Sequence, residues 1–290
     1  MIEKKINIMN ENQFNRKDIN VPDFVMKTQS DIPQKVFTKY PTDIIPIPTK
    51  GWFYTEGHPL SCGEIELKQM AAREEDILSN QQLRKNGRFL EKLLESLIVN
   101  KAIKQEEILV PDKNAILISI RRLAYGDEYP VTVTCPACSE SNRVSVNLGT
   151  VENKPFDFDS YPKGQNSFEF KLPNSGVTIT YKLLNQIDEQ SVEAELNNLK
   201  KLSKGESSKE YTTRLKYLIT SIDGNPDKGL IRKFIDEQLS AKDSLALRKQ
   251  MRETNPDVDF SFDFKCNNCS YERRMDIPMG LSFLWPDIDS

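Results

Sequence analysis

Two cysteine pairs, Cys135-Pro136-Ala137-Cys138 and Cys266-Asn267-Asn268-Cys269, stand far apart in the chain, with residues 139–265 between them. This spacing constrains the fold more than any other feature. A Cys-x-x-Cys turn offers two thiolates to one ion and leaves backbone amides free to hydrogen-bond the sulfurs. Two such turns complete a tetrahedral shell. Alternating, strand-like stretches flank both pairs: 129–134 and 143–148 around the first, 258–264 and 271–277 around the second. Strand, Cys-x-x-Cys, strand, used twice, is the arrangement of a zinc ribbon. The expectation is one structural Zn²⁺ held by Cys135, Cys138, Cys266 and Cys269. Four thiolates leave no open position for water or substrate, so a catalytic ion is not expected. The alternatives are unrelated pairs or disulfides. The thiolates and Zn²⁺ would sum to −2, and Lys265, Arg143, Arg273 and Arg274 lie close enough in sequence to offset that charge. If the knuckles meet, the intervening chain must fold back, and the ion fastens the start of the insertion to its end.

Composition narrows the classes. The chain has 290 residues, 38% hydrophobic and 29% charged, with a formal charge of −3. Phosphate binding needs clustered Lys and Arg, and the acidic balance argues against a nucleic-acid binder. The doublets Arg121-Arg122, Lys200-Lys201, Arg232-Lys233 and Arg273-Arg274 sit among acidic neighbours and read as solvated surface. No apolar run approaches the roughly 18 residues that cross a bilayer. The opening MIEKKINIMNENQFNRKD has no apolar core of signal-peptide length. A cytoplasmic protein is expected, and five cysteines, four of them in pairs, fit a reduced compartment and a metal.

The pattern along the chain gives an α+β fold. Its parts are an N-terminal strand and helix region, zinc-ribbon-like paired hairpins, and a mainly helical insertion between the two knuckles. Residues 1–43 are polar and read as a flexible arm. Residues 44–128 form a mixed strand and helix domain. Residues 129–150 and 256–280 make a discontinuous ribbon, 151–255 a β-hairpin plus helical insertion, and 281–290 a C-terminal tail. Within these, 64–67 alternates as a strand, and 71–84 reads as one helix with acidic residues in its first turn. Residues 89–100 form an amphipathic helix, with Leu90, Leu93, Leu94, Leu97 and Ile98 on one face. Residues 114–125 are too evenly apolar for their period to separate helix from strand, though the preceding Pro111-Asp112 favours a helix start. Phe168–172 and 177–183 flank Pro173-Asn174-Ser175-Gly176 and read as a hairpin. The chain from 188 to 254 is expected to be helical. One helix covers 208–222, and another begins at Ser240, with Asp243 three residues on.

Other candidate chemistry has simpler explanations. His58 and Cys62 would make a conceivable nucleophile pair, but Pro59 and Gly63 argue for a turn; a surface histidine and a small buried thiol are expected. Glu74-Glu75-Asp76 suits a helix N-terminus better than a metal. There is no phosphate-binding glycine loop and no zinc-protease motif, and no enzyme or small-molecule substrate is expected. Trp52-Phe53-Tyr54 reads either as core or as a partner-binding patch beside the arm, and Phe283 and Trp285 present the same choice.

Three segments in order carry a resemblance. They are Gly51-Trp52-Phe53-Tyr54, then Met70-Ala71-Ala72-Arg73-Glu74-Glu75-Asp76-Ile77-Leu78, then Arg122-Leu123-Ala124-Tyr125-Gly126-Asp127-Glu128-Tyr129 running into the first knuckle. With the second knuckle and Phe283-Leu284-Trp285-Pro286, the chain resembles the baseplate hub assembly proteins of T-even-like contractile-tailed phages. The resemblance covers about 45–150 and 256–287. It implies a protein made in the cytoplasm of an infected bacterium, acting with baseplate hub subunits as an assembly factor or chaperone, or as a structural part of the virion baseplate. It brings no catalytic residues. The rival reading, from the ribbon alone, is a zinc-ribbon nucleic-acid-binding or transcription accessory protein.

Overall fold

The computed structural model describes residues 41–202 and 209–286. The proposed arm, apart from its last residues, and the end of the proposed tail lie outside them. The fold is α+β, built from small antiparallel hairpins and short helices. β1 (Thr42–Pro46) pairs with β2 (Glu64–Lys68), so regular structure begins inside the stretch read as arm. Along β2, Ile65 and Leu67 are buried while Glu64 and Glu66 face water, the period-two signature of a half-buried strand. The single helix expected over 71–84 is two, α1 (Ala72–Ser79) and α2 (Gln81–Lys85). Asn80 divides them: its side-chain oxygen accepts from the Gln82 and Leu83 amides and caps the second helix. α3 (Phe89–Leu97) turns Leu93, Leu94 and Leu97 inward, as its periodicity requires. α4 (Val110–Tyr125) starts with Pro111 in its first turn and buries Ala115, Ile116, Leu117, Ile118 and Ile120. A helix covered on most sides has no polar face to mark its period, which is why the sequence left its type open.

The two cysteine pairs sit at hairpin tips. β3 (Glu128–Thr134) and β4 (Ser141–Asn147) carry the first; β8 (Ser261–Lys265) and β9 (Glu272–Asp276) carry the second. Between them, β5 (Phe168–Lys171) and β6 (Thr178–Tyr181) form the expected hairpin. α5 (Gln186–Leu202) and α6 (Glu210–Leu218) follow, but α6 ends four residues before the helix expected over 208–222. Residues Ile219–Ile222 are instead β7, a third strand on β6. The edge of β6 needs hydrogen-bond partners, and Ile219, Thr220 and Ile222 are β-branched, so tertiary pairing overrides the helical stripe. α7 (Lys228–Lys233) runs into a π-helical turn at Phe234–Gln238, and α8 (Ala241–Glu253) begins at the expected Ser240 cap. The Asp243 carboxylate also accepts the Asn174 and Ser175 amides, docking α8 on the tip of the β5–β6 turn. α9 (Leu281–Leu284) lies in the segment read as tail, with Phe283 buried edge-on against Tyr129 at 5.0 Å.

The boundaries drawn at 128 and 151 are not gaps in the packing. Phe53 packs on Phe156, Phe158, Tyr161 and Phe168, joining the N-terminal region to the insertion. The Trp52 indole N–H donates to the Tyr161 carbonyl at 2.9 Å, and the Val110 amide donates to the Leu184 carbonyl at 2.8 Å. The ends of the insertion also pair directly: the Lys154 amide bonds the Asp257 carbonyl and the Asp259 amide bonds the Glu152 carbonyl, each at 2.8 Å.

A buried carboxylate ties the turn at 47–54 to α4. Asp112 accepts from the Thr49 amide at 3.0 Å, and from the Thr49 and Tyr54 hydroxyls at 2.8 Å each. The Tyr54 oxygen in turn accepts the Leu109 amide at 3.0 Å. The turn itself needs Gly51, which has φ +72°; a Cβ there would lie 2.5 Å from the Leu60 carbonyl oxygen. Tyr54→Phe removes a donor from Asp112 and an acceptor from Leu109 at once. It should lower stability by about 2 kcal/mol in urea denaturation, the scale of buried polar groups left unpaired; a loss within error of zero would show that water replaces the hydroxyl. Burial pushes the Asp112 carboxyl up to about 7, against the pull of the Thr49 amide and then the Tyr54 and Thr49 hydroxyls. The folded state therefore holds this proton more tightly than the unfolded state, whose ordinary value is 3.8. Stability from this group is full below about 4 and falls as pH rises towards 7, with a slope of at most about 1.4 kcal/mol per pH unit. Asp112→Asn should be less stable than the wild type but flatter across that window. A mutant that keeps the full wild-type slope would place the titration elsewhere.

Candidate metal centre

The two knuckles have the same local build. In each, the first cysteine amide bonds the carbonyl five residues on: Cys135 to Glu140 and Cys266 to Tyr271, both at 2.8 Å. In each, the residue after the second cysteine adopts a left-handed conformation, Ser139 at φ 59° and Ser270 at φ 57°. The five-residue pattern Cys-x-x-Cys-Ser occurs at both sites in the sequence and was a signal of that equivalence.

The fold brings all four cysteines together, with every Sγ within 4.8 Å of the others. Two close approaches run between knuckles, Cys135 to Cys269 and Cys138 to Cys266, each 3.7 Å. A disulfide needs about 2.05 Å between sulfurs. A tetrahedral Zn–S₄ centre with Zn–S bonds of about 2.3 Å has S–S edges of about 3.8 Å. The donor set and its spacing therefore fit a bound metal ion shared by both hairpins. Cys135 and Cys266 are buried, Cys138 is half-buried and Cys269 is exposed.

Two asparagines complete the site, one between the cysteines of the second pair and one on the first hairpin, and spacing gave no sign of their roles. Asn142 is buried on β4. Its amide nitrogen donates to the Glu140 carbonyl at 3.0 Å and to Cys266 Sγ at 3.6 Å, while its oxygen accepts the Asn267 amide at 2.8 Å. One side chain thus bridges the two knuckles. Asn268 donates its backbone amide to Cys266 Sγ at 3.4 Å and its side-chain amide to Cys138 Sγ at 3.7 Å. Amide hydrogen bonds, that of Cys269 first, pull the Cys266 thiol down to about 6. Cys269 moves the other way: although the Tyr271 amide draws it down, hydrogen bonding with Cys138, partial desolvation by its neighbours, and its contacts with Cys266 and Cys135 raise it to about 12. Four sulfurs this close ionise together only when a cation shares their charge. The basic residues expected to offset that charge are partly engaged elsewhere, Lys265 with Glu272 at 2.6 Å and Arg274 with Asp259 at 2.5 Å.

The remaining candidates have structural employment. His58 caps a 3₁₀ turn (Pro59–Cys62), accepting the Leu60 amide through Nδ1, and stacks on Tyr54 at 4.7 Å. Cys62 is exposed, not the buried thiol expected, because it ends that turn at the surface. Glu74 accepts the Ala71 amide at the start of α1 and the Ser96 hydroxyl at 2.6 Å. Of the five aromatic residues weighed as a contact patch, Phe53, Tyr54 and Phe283 are buried and present no ring to a partner. Trp52 and Trp285 are half-buried. Lys163 lies over the Trp52 ring and Arg84 over the Trp285 ring, at 5.5 and 5.8 Å.

Two variants test this centre. Cys266→Ser should lower bound metal and melting temperature together, and should remove the gain in melting temperature that added metal gives the wild type. Asn142→Ala should keep all four sulfurs yet weaken metal binding by about 10-fold or more, the effect of losing a partner that orients a ligand. Metal affinity unchanged in the asparagine variant would reduce Asn142 to a packing residue.

Comparison with known proteins places the chain. No curated protein and no solved structure matches it. The family model described as T4 bacteriophage base plate protein matches residues 53–285. That span begins in the 47–54 turn, includes both knuckles and takes in the helical insertion, which carried no resemblance by motif. The chain belongs to the T4 bacteriophage base plate protein family.

Proposed function

We propose that this chain is a non-enzymatic assembly factor for the central hub of the phage tail baseplate, held in shape by a structural Zn²⁺. The family match over 53–285 is the observation that carries the reading. It supplies the baseplate, and the motif order around Trp52, Arg73 and Tyr125 supplies the hub. The S₄ donor set supports zinc, which takes tetrahedral thiolate sites, and four protein ligands support a structural role because no coordination position is left for a substrate. The polar side chains that a catalytic reading would recruit cap turns and helices instead. The proposed partners are hub subunits, with neither nucleic acid nor membrane as a target; among the described residues no helix is long and apolar enough to cross a bilayer. The proposed place of action is the cytoplasm of the infected bacterium.

The family description itself favours a second reading, in which the chain is a permanent part of the virion baseplate. Quantitative mass spectrometry separates the two. An assembly factor should be abundant in infected-cell lysate, co-purify there with hub subunits, and be scarce in finished virions. Recovery in virions at the stoichiometry of the hub would overturn the transient role. Elemental analysis of the purified chain should give about one zinc per chain; iron in its place would leave the fold argument intact and end the zinc assignment.

A further inference from the structure

The outer face of α8 is basic in a chain whose overall charge is −3. The helix is amphipathic in an unusual sense. Its inward side places Asp243 and Leu247 in the core, both fully buried. Its outward side carries Leu245, Arg248, Lys249 and Arg252 at i, i+3, i+4 and i+7, with Lys242 one turn before. These residues line an open groove of about 640 Å³ together with Pro173, Ala246 and one carboxylate, that of Glu253. Leu245 sits in it with 61% of its surface exposed, one of the most exposed large apolar residues in the described chain. Lys249 faces Glu253 at 4.0 Å. Among the described residues no carboxylate lies within salt-bridge distance of Lys242, Arg248 or Arg252. Arg248 instead lies over the Tyr211 ring at 5.3 Å.

We infer that this groove docks an acidic segment of a protein partner, with one apolar side chain of that segment seated on Leu245. Three features distinguish it from solvated surface. Of the four cations on this face, Lys242, Arg248 and Arg252 have no carboxylate within salt-bridge distance among the described residues and only Lys249 faces one, Glu253, so the unmet charge is concentrated rather than spread. An exposed leucine at the centre of a cationic rim reproduces the apolar-core, polar-rim anatomy of protein interfaces, in which Arg is enriched. The platform is fixed in advance, because Asp243 binds the Asn174 and Ser175 amides and holds the start of α8 against the β5–β6 turn that supplies Pro173. Phosphate tracking along a nucleic acid would use the cations and leave Leu245 in water, so an acidic peptide is the better match. Choosing a protein as occupant rests on the assembly reading; the metal centre plays no part in it.

The test uses the purified full-length chain and fluorescence anisotropy. The probe is a short fluorescein-labelled peptide of alternating Glu and Leu, with a Gln-for-Glu version and a short duplex DNA as comparators. The Glu–Leu peptide should bind, and should weaken about 10-fold or more between low salt and about 0.3 M salt, as rim charge pairs do. Combined Lys242→Glu, Arg248→Glu and Arg252→Glu should weaken it by a similar factor. Leu245→Gln should weaken it about 3- to 10-fold while leaving the salt dependence unchanged. Circular dichroism and melting temperature serve as controls, since all four side chains are on the surface. Equal binding of the Gln peptide, tighter binding of the duplex, or indifference to the charge reversals would overturn the inference. The virion census described above is blind to this groove, so either result can fail while the other stands.

Discussion

Everything in this molecule depends on closing the chain between the two hairpins. The backbone bonds of Lys154 to Asp257 and Asp259 to Glu152 do this at the base of the insertion, one residue stretch away from either ribbon hairpin. Closing a loop of this length costs on the order of 4–5 kcal/mol in chain entropy. A metal ion at the four sulfurs would not have to offset that cost alone. The insertion is also held by Phe53 against its aromatic residues, by Val110 against Leu184, and by the Asn114 side-chain amide, which bonds Asp257 at 3.2 Å. The hairpins are therefore brought into range by protein contacts, and an ion at the four sulfurs adds to a closure already made. A metal site of this kind stabilises the knuckles and their relative position more than it decides whether the insertion folds.

The same economy explains the 47–54 turn. It holds a chain reversal, an aromatic anchor and a buried carboxylate within eight residues. Gly51 makes the reversal possible, Phe53 points into the insertion, and Tyr54 with Thr49 satisfies Asp112 at the start of α4. A carboxylate without a cation partner in this position is costly to ionise, and its three donors reduce that cost without removing it. The turn thereby fixes the N-terminus of the most buried helix in the chain relative to the aromatic cluster. This is a sufficient physical reason for the Gly-Trp-Phe-Tyr motif, and it requires no exposed aromatic patch.

The parts of the fold legible in the sequence were those with local causes. The two ribbon hairpins, the β5–β6 turn and the amphipathic α3 follow from alternation, turn residues and a helical stripe. The four cysteines were legible as a set because thiolate pairs have few other uses at that spacing. The losses are tertiary. Ile219–Ile222 continues the apolar stripe of α6, and only the open edge of β6 makes it a strand. Asn80 reads as an ordinary helix residue until its side chain is seen capping α2. Phe53, Tyr54 and Phe283 could not be sorted into core or surface because aromatic residues serve both, and the partners that bury them are distant in sequence: Phe156 and Phe168 for Phe53, Asp112 and Leu109 for Tyr54, Tyr129 for Phe283. Asn142 was invisible for the same reason, since its neighbours Cys266 and Asn267 belong to the other hairpin.

The sulfur cluster is asymmetric in a way its matched backbones conceal. Both knuckles share the left-handed serine and the five-residue amide bond, yet Pro136 has no N–H to offer, whereas the second knuckle has Asn267 and Asn268. The side-chain donors that reach the sulfurs are Asn268 and Asn142, which crosses between hairpins, and they add to the backbone amides of Asn268, Cys269 and Tyr271. Lys265 and Arg274, two of the four basic residues expected near the sulfurs, are paired to carboxylates. The backbone amides act within one knuckle, whereas the Asn142 dipole reaches Cys266 only when both hairpins are in place. Binding of an ion at the four sulfurs would then be coupled through Asn142 to the docking of the hairpins.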